Sequence, residues 1–229
     1  MGVTMNMHSG RRAASAAGLA VVPLLALLGG CGPRQFEAQA VIPPPLVTRI
    51  PVVVGLHMPA AFREAVHREE HGGIDYEIAI GKSQSAGFER LLGAMFERVV
   101  PVASPDAGAA TDPAIRGVLE PVLEDFSFVT PQDTGDTLYA VTLRYRINAY
   151  TPTGQPVDSW TFTGYGAQPE GSLPGTSSAP LQKAAAIAMR DAGAKLAVEF
   201  REQAIARGLI DGQPDVPAHP KIESALMRL

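Results

Sequence analysis

Leu138-Tyr139-Ala140-Val141-Thr142-Leu143-Arg144-Tyr145-Arg146-Ile147-Asn148-Ala149-Tyr150 is the stretch on which the fold turns. Tyr139, Val141, Leu143, Tyr145 and Ile147 fall on one side of an extended chain, and Thr142, Arg144, Arg146 and Asn148 on the other. Successive side chains of a strand point to opposite faces, so this period predicts one face in a core and one in water, as in an antiparallel sheet. The turn Thr151-Pro152-Thr153-Gly154 reverses the chain, and Val157 to Gly166 returns with Trp160 and Phe162 facing one way. Upstream, Gly117 to Val129 carries Val118, Val122, Phe126 and Phe128, with Pro121 marking an edge or a bulge. Three strands in succession predict a meander.

Helices are expected on either side of it. Between Gln84 and Val100, with Ser83 or Ser85 as cap, Phe88, Leu91, Leu92, Met95, Phe96 and Val99 recur at helical spacing, while Glu89, Arg90, Glu97 and Arg98 lie elsewhere on the wheel. Val99 to Val102 then leaves as a short extended piece, and Ser104 to Pro113 reads as a loop. Ala167 to Ser177 is a second loop, and Ser178 caps a long helix, Ala179 to Arg207, with the stripe Leu181, Ala185, Ala188, Met189, Ala192, Leu196 and Phe200. Ile50 to His57 is rich in valine and reads as a strand. Between Ala60 and Gly81 two patterns coexist: Phe62 to Glu70 admits a short helix, and Tyr76 to Ile80 alternates like a strand. The expected class is α+β, an antiparallel sheet of four or five strands, mostly meander, with two helices packed on one face.

The amino terminus carries a different message. Arg11 and Arg12 precede a charge-free run from Ala13 to Leu28 containing Leu19, Val21, Val22, Leu24, Leu25, Leu27 and Leu28. That is the layout of an export signal, too short for a comfortable membrane span of about 20 apolar residues. Leu28-Gly29-Gly30-Cys31 follows, and it resembles the lipobox of bacterial lipoproteins. An aliphatic residue and two small ones let a peptidase cut between Gly30 and Cys31 once the thiol is alkylated by a diacylglycerol. Cys31 is also the only cysteine, and an exported thiol without a partner has no other evident use. The mature chain is therefore expected to begin at a lipidated Cys31 carrying acyl chains such as palmitate, each buried CH2 contributing roughly 0.8 kcal/mol to membrane attachment. Gly32, rather than aspartate, follows the cysteine, which by resemblance to the Gram-negative sorting rule implies the outer membrane.

The domain plan is a signal peptide over 1–30, a lipidated cysteine and proline-rich tether over 31–46, one periplasmic domain over 47–207, and a poorly ordered tail over 208–229. Loss of Arg11 and Arg12 with the signal takes the formal charge from −4 to −6. An acidic surface argues against nucleic acid, whose phosphates need clustered cations.

The lipidated cysteine and this order of elements resemble the small periplasmic domains of YajG, LptE and PqiC-type envelope lipoproteins, and more loosely the amino-terminal domain of TolB. Gly87-Phe88-Glu89-Arg90-Leu91-Leu92, Met95-Phe96-Glu97-Arg98-Val99-Val100, and Leu143 to Tyr150 with its following turn carry the likeness. It implies two helices on one face of the sheet and a role in binding or assembly, with an envelope protein or lipid as partner.

Catalytic patterns are sparse. His67-Arg68-Glu69-Glu70-His71 matches H-x-x-E-H, the inverted zinc-protease motif, which needs His67, Glu70 and His71 on a rigid helix. Gly72-Gly73 ends any helix at the second histidine, so a solvated charged segment is the plainer reading. Glu120, Glu124 and Asp125 lie close on one expected strand, where Glu120 and Glu124 can share a face as an acidic pair or simply meet water. Arg144 and Arg146 are expected to pair with neighbours such as Glu124 or simply to face water, or alternatively to meet an anionic lipid headgroup or an acidic partner. No cofactor and no catalytic residue are expected. The function classes are an outer-membrane lipoprotein for binding, assembly or transport accessory work, a zinc hydrolase on His67, Glu70 and His71, and a lipid carrier.

Overall fold

The computed structural model describes Gly2 and residues 34–38, 42–170 and 178–206. The chain divides between Gly32 and Pro33 into two units, and the described residues other than Gly2 belong to the second. The expected signal peptide, Gly30, Cys31 and the tail over 208–229 lie outside the described residues, Gly2 apart.

In chain order the second unit forms β1 (Arg34–Glu37), β2 (Ile50–Leu56), α1 (Ala60–Arg63), β3 (Val66–His71), β4 (Ile74–Ala79), α2 (Gly81–Met95) and β5 (Phe96–Pro101). A 3-10 turn (Pro105–Ala107), α3 (Gly108–Thr111), β6 (Ile115–Val129), α4 (Pro131–Thr134), β7 (Leu138–Tyr150), β8 (Pro156–Pro169) and α5 (Ala179–Ala206) follow. The strands make two sheets, one in the order β1-β4-β3 and one in the order β5-β2-β6-β7-β8.

The alternating stretch is β7 over the span expected of it, antiparallel to β6 and β8, so the meander exists. The larger sheet is nevertheless mixed, because β2 runs parallel to both β5 and β6. This corrects the purely antiparallel expectation. Two of its connections, β2 to β5 and β5 to β6, carry the chain away and back, which a reading of successive strands does not reveal.

Long helices α2 and α5 cover the face that carries Tyr139, Val141, Leu143, Tyr145 and Ile147, all 2% exposed or less. Close approach of α5 depends on glycine: a Cβ at Gly164 would stand 2.1 Å from the carbonyl oxygen of Ala188, and one at Gly166 equally near that of Ala184. Alanines on the helix and glycines on β8 thus bring two backbones together. Its outer flank is tied by Lys195, whose Nζ donates to Thr163 O at 2.7 Å and to Asp191 Oδ2 at 2.8 Å. On the other face of the sheet, Val102, Ile115 and Val118 form a second small core beneath the 3-10 turn and α3. The expected wet face is therefore wet only over part of its length.

Several boundaries moved. Helix α2 starts at Gly81 and ends at Met95, with Ser83 and Ser85 inside it rather than capping it. Ile80 and Gly81 donate instead to Ala65 O, at 2.9 and 3.0 Å, which fixes the corner between β4 and the helix. Phe96 leaves the helix because it pairs with Ile50, so the apolar run continues as β5. The short-helix option for Phe62 to Glu70 is also corrected: α1 has one turn, and Val66–His71 is a strand.

The expected tether contains structure too. Strand β1 runs parallel to β4, with Phe36 and Ala38 buried. Ile42, 4% exposed, wedges between the long helices, its side chain against the glycine surfaces of Gly87 and Gly193. Residues 34–38 and Ile42 thus strap the core rather than forming a free spacer, while Pro43, Pro44 and Leu46 beyond them are exposed.

Candidate functional site: a histidine-carboxylate chain and an open strand margin

Residues 66–79 form a hairpin. Gly72 and Gly73 sit at φ +59° and +77°, a two-residue turn that glycine adopts without the steric penalty of a Cβ. Glu70 is turned away from the histidines and accepts the Gly73 N–H, closing the turn. With a strand's period of two, His67, Glu69 and His71 share the opposite face. The structure therefore brings His67 and His71 together with Glu69, and leaves Glu70 outside the cluster.

His67 Nε2 lies 2.8 Å from Glu69 Oε2, and His71 Nδ1 lies 2.8 Å from Asp133 Oδ2. His71 Nε2 is 3.1 Å from Glu69 Oε1 but out of hydrogen-bonding alignment. Below these groups are rings: His67 against Phe126 with centroids 4.7 Å apart, and His71 against Phe128 at 4.2 Å. The cluster fastens the hairpin to β6 through ring stacking and shared carboxylates. Asp133 is partly buried, which alone raises its pKa, but hydrogen bonds from Thr130 and the neighbouring His71 outweigh burial and hold the carboxyl below its ordinary value. Among the described residues no group of three or more His, Cys, Asp or Glu side chains is arranged to hold a metal ion.

The two glutamates of β6 have separate partners. Glu120 Oε2 lies 2.8 Å from His57 Nδ1, and its Oε1 accepts from Asn148 Nδ2 at 3.0 Å and from Tyr150 OH at 3.2 Å. Burial first, then the Glu120 charge, push the Tyr150 phenol up. Glu124 sits at a register shift between Leu123 and Asp125 and meets Arg144 Nε and Arg146 Nη1, each at 3.3 Å. The expected pairing of both arginines with Glu124 is what the structure has; a shared Glu120/Glu124 acidic site is not.

A groove of about 570 Å³ opens beside Glu124, lined among others by Glu64, Val66, Arg68, Leu123, Asp125 and Phe126. It exists because β2 leaves the sheet early. His57 N–H donates to Leu119 O at 2.9 Å, and beyond that point, among the described residues, β6 has a strand neighbour only on its β7 side. Across the groove β3 is itself the outer strand of its sheet.

No family model matches the chain, and no curated protein matches it. Among solved structures it is similar to protein XCC0632 from Xanthomonas campestris, of family DUF330, with 15% identity and a TM-score of 0.43 over 79% of this chain and 99% of that one. It is also similar to a minor lipoprotein from Acinetobacter baumannii, with 12% identity and a TM-score of 0.35 over 73% of this chain and 100% of that one.

Sequence reasoning missed His57, Glu69, Asp133, Asn148 and Tyr150. The turn pair Gly72-Gly73 between His67-Arg68-Glu69-Glu70-His71 and Tyr76 to Ile80 was the available signal for the hairpin, and with it for the face shared by His67 and Glu69. Nothing local marks His57 or Asp133, whose partners lie 63 and 62 positions away.

Proposed function

We propose that this chain is a lipid-anchored protein of the bacterial outer membrane, facing the periplasm, whose domain binds another envelope component along the open margin of β6. One observation carries the anchor: Leu28-Gly29-Gly30-Cys31, with its lone cysteine, directly behind a positive, then charge-free apolar leader. Among the described residues no helix is long and apolar enough to cross a membrane.

The open margin supports the binding role. A strand with one unpaired side presents backbone donors and acceptors that an extended segment can join by strand addition. Glu64 and Asp125 are exposed at the groove, while Glu124 is occupied by two arginines and Arg68 by Glu77 at 3.0 Å. Such a rim favours a segment carrying basic side chains.

The other function classes find less support in the geometry. Zinc hydrolysis on His67, Glu70 and His71 needs the three to converge, whereas Glu70 closes the turn on the opposite side of β3. A lipid carrier needs an apolar cavity between helices and sheet, where Gly164 and Gly166 leave no room for a methyl group. The apolar hollow at Val47, Ile50, Met95 and Val198 is about 290 Å³ and lies at the helix margin; ligand pockets run from about 300 to 1,000 Å³.

A photo-crosslinking residue placed at Asp125 in cells tests the reading. A discrete adduct with an envelope protein, weakened when Glu64→Lys reverses the charge at the exposed rim of the groove, is the expected result. Adducts arising only from positions away from β6 would contradict it.

A further inference from the structure

We infer that the domain is held close against the lipid headgroups and meets them with one end, formed by the Gly72-Gly73 turn, α4 and residues 135–137. This rests on the proposed anchor at Cys31 and adds an orientation to it.

The argument starts from bond lengths. Consecutive Cα atoms are 3.8 Å apart, so three peptide units keep the Cα of Cys31 within about 11 Å of the Cα of Arg34, whatever path they take. A free tether from Cys31 to Leu46 would instead reach about 50 Å. The strap removes that reach, because Arg34 already belongs to a strand. Arg34 pairs with Tyr76 and holds its guanidinium 5.9 Å over that ring; Phe36 and Ala38 are buried; and Ala38 N–H donates to Ala79 O at 2.9 Å.

The position of Arg34 then names the end. Tyr76 meets Phe128 edge to face with ring centroids 5.2 Å apart, and Phe128 pairs with Val141 near the start of β7. His71 contacts Asp133, Gly72 faces Gln132, and Glu170 N–H donates to Thr137 O at 2.7 Å. All of these lie at the Leu138 end of β7. The turn Thr151 to Gly154 follows the other end of this 13-residue strand, about 40 Å away at roughly 3.3 Å per residue.

The chemistry of this end selects the surface it fits. It carries Glu70, Asp75, Asp133, Asp136 and Glu170 against Arg34. Anionic headgroups would repel such a surface at low salt, with screening beyond about 10 Å at 0.1 M. A zwitterionic phospholipid layer is the partner it suits.

The absence of a free thiol in a lipidated chain makes the test direct. Gln132→Cys and Thr153→Cys, both at exposed positions, are expressed as full chains with the leader, purified in mature acylated form, labelled with a fluorophore and reconstituted into phosphatidylcholine vesicles containing a headgroup nitroxide lipid. The position-132 label should be quenched at least threefold more than the position-153 label. Ten Gly/Ser residues inserted after Gly32 should erase the difference, and replacing a third of the lipid with phosphatidylglycerol at low salt should reduce it. Equal quenching in acylated, vesicle-bound protein overturns the orientation while leaving the anchor intact. A chain that carries no acyl group and does not float with vesicles overturns both.

Discussion

His71 Nδ1 stands 2.8 Å from Asp133 Oδ2, an oxygen that also accepts the Thr130 N–H at 2.7 Å and the Thr130 hydroxyl at 2.8 Å. One carboxylate thus caps α4 and pins the β3–β4 hairpin, although hairpin and cap are far apart in sequence. Removing it leaves a helix start and a half-buried imidazole without their acceptor. Asp133→Ala should lower the unfolding free energy by about 1–3 kcal/mol. Urea denaturation checks this, and a change within about 0.5 kcal/mol would show that the oxygen is not shared as described.

Acid should weaken the fold through the same group and one other. Asp191 is partly buried, which raises its pKa, but the Lys195 ammonium and the Tyr165 N–H outweigh burial, so this carboxyl, like Asp133, lies below the ordinary 3.8. A depressed native pKa means that the unfolded chain binds the proton first as pH falls. The stability from these groups is whole well above pH 4 and disappears as pH drops through the native values. Melting temperatures measured from pH 7 to pH 2.5 should fall below about pH 4, less steeply in Asp191→Asn. An unchanged slope in that variant would remove Asp191 from the explanation.

Ile42 separates a strap from a tether. Its side chain fills the space over Gly87 and Gly193, so Ile42→Ala should destabilise the domain by about 2–5 kcal/mol, the range for emptying a buried aliphatic site. A free spacer would tolerate the change with no shift in the denaturation midpoint.

Gly166 tests the closeness of α5. A methyl group there meets the Ala184 carbonyl oxygen, which belongs to a helix backbone and cannot swing aside. Gly166→Ala should cost about 1–3 kcal/mol or more. Thermal melting reads the effect, and a neutral outcome would mean that helix and sheet stand further apart.

Legibility followed the range of the interactions. Strand β7 was readable from end to end because one buried face imposes a period of two on its own residues, and the stripe of α5 was readable for the matching reason at helical spacing. Met95 to Val99 kept helical spacing past the true end of α2, because pairing of Phe96 with Ile50 is a tertiary event that local pattern does not record. Strand β1 is four residues, too few to show a period, and the prolines after it pointed toward a spacer. Strand β3 was obscured by charge: the residues packed on Phe126 and Phe128 are histidines, which read as solvated. At the site, the Arg144 and Arg146 pairing with Glu124 was visible because it crosses adjacent strands, whereas Glu120 with His57 depends on where β2 leaves the sheet.

Intact-mass and peptide mass spectrometry of the mature chain from a bacterial membrane fraction addresses the central claim most directly. The account predicts a first residue at position 31 bearing thioether-linked diacylglycerol, with Cys31→Ala unmodified and absent from the membrane. A mature chain starting elsewhere, or starting there without acyl groups, would contradict it.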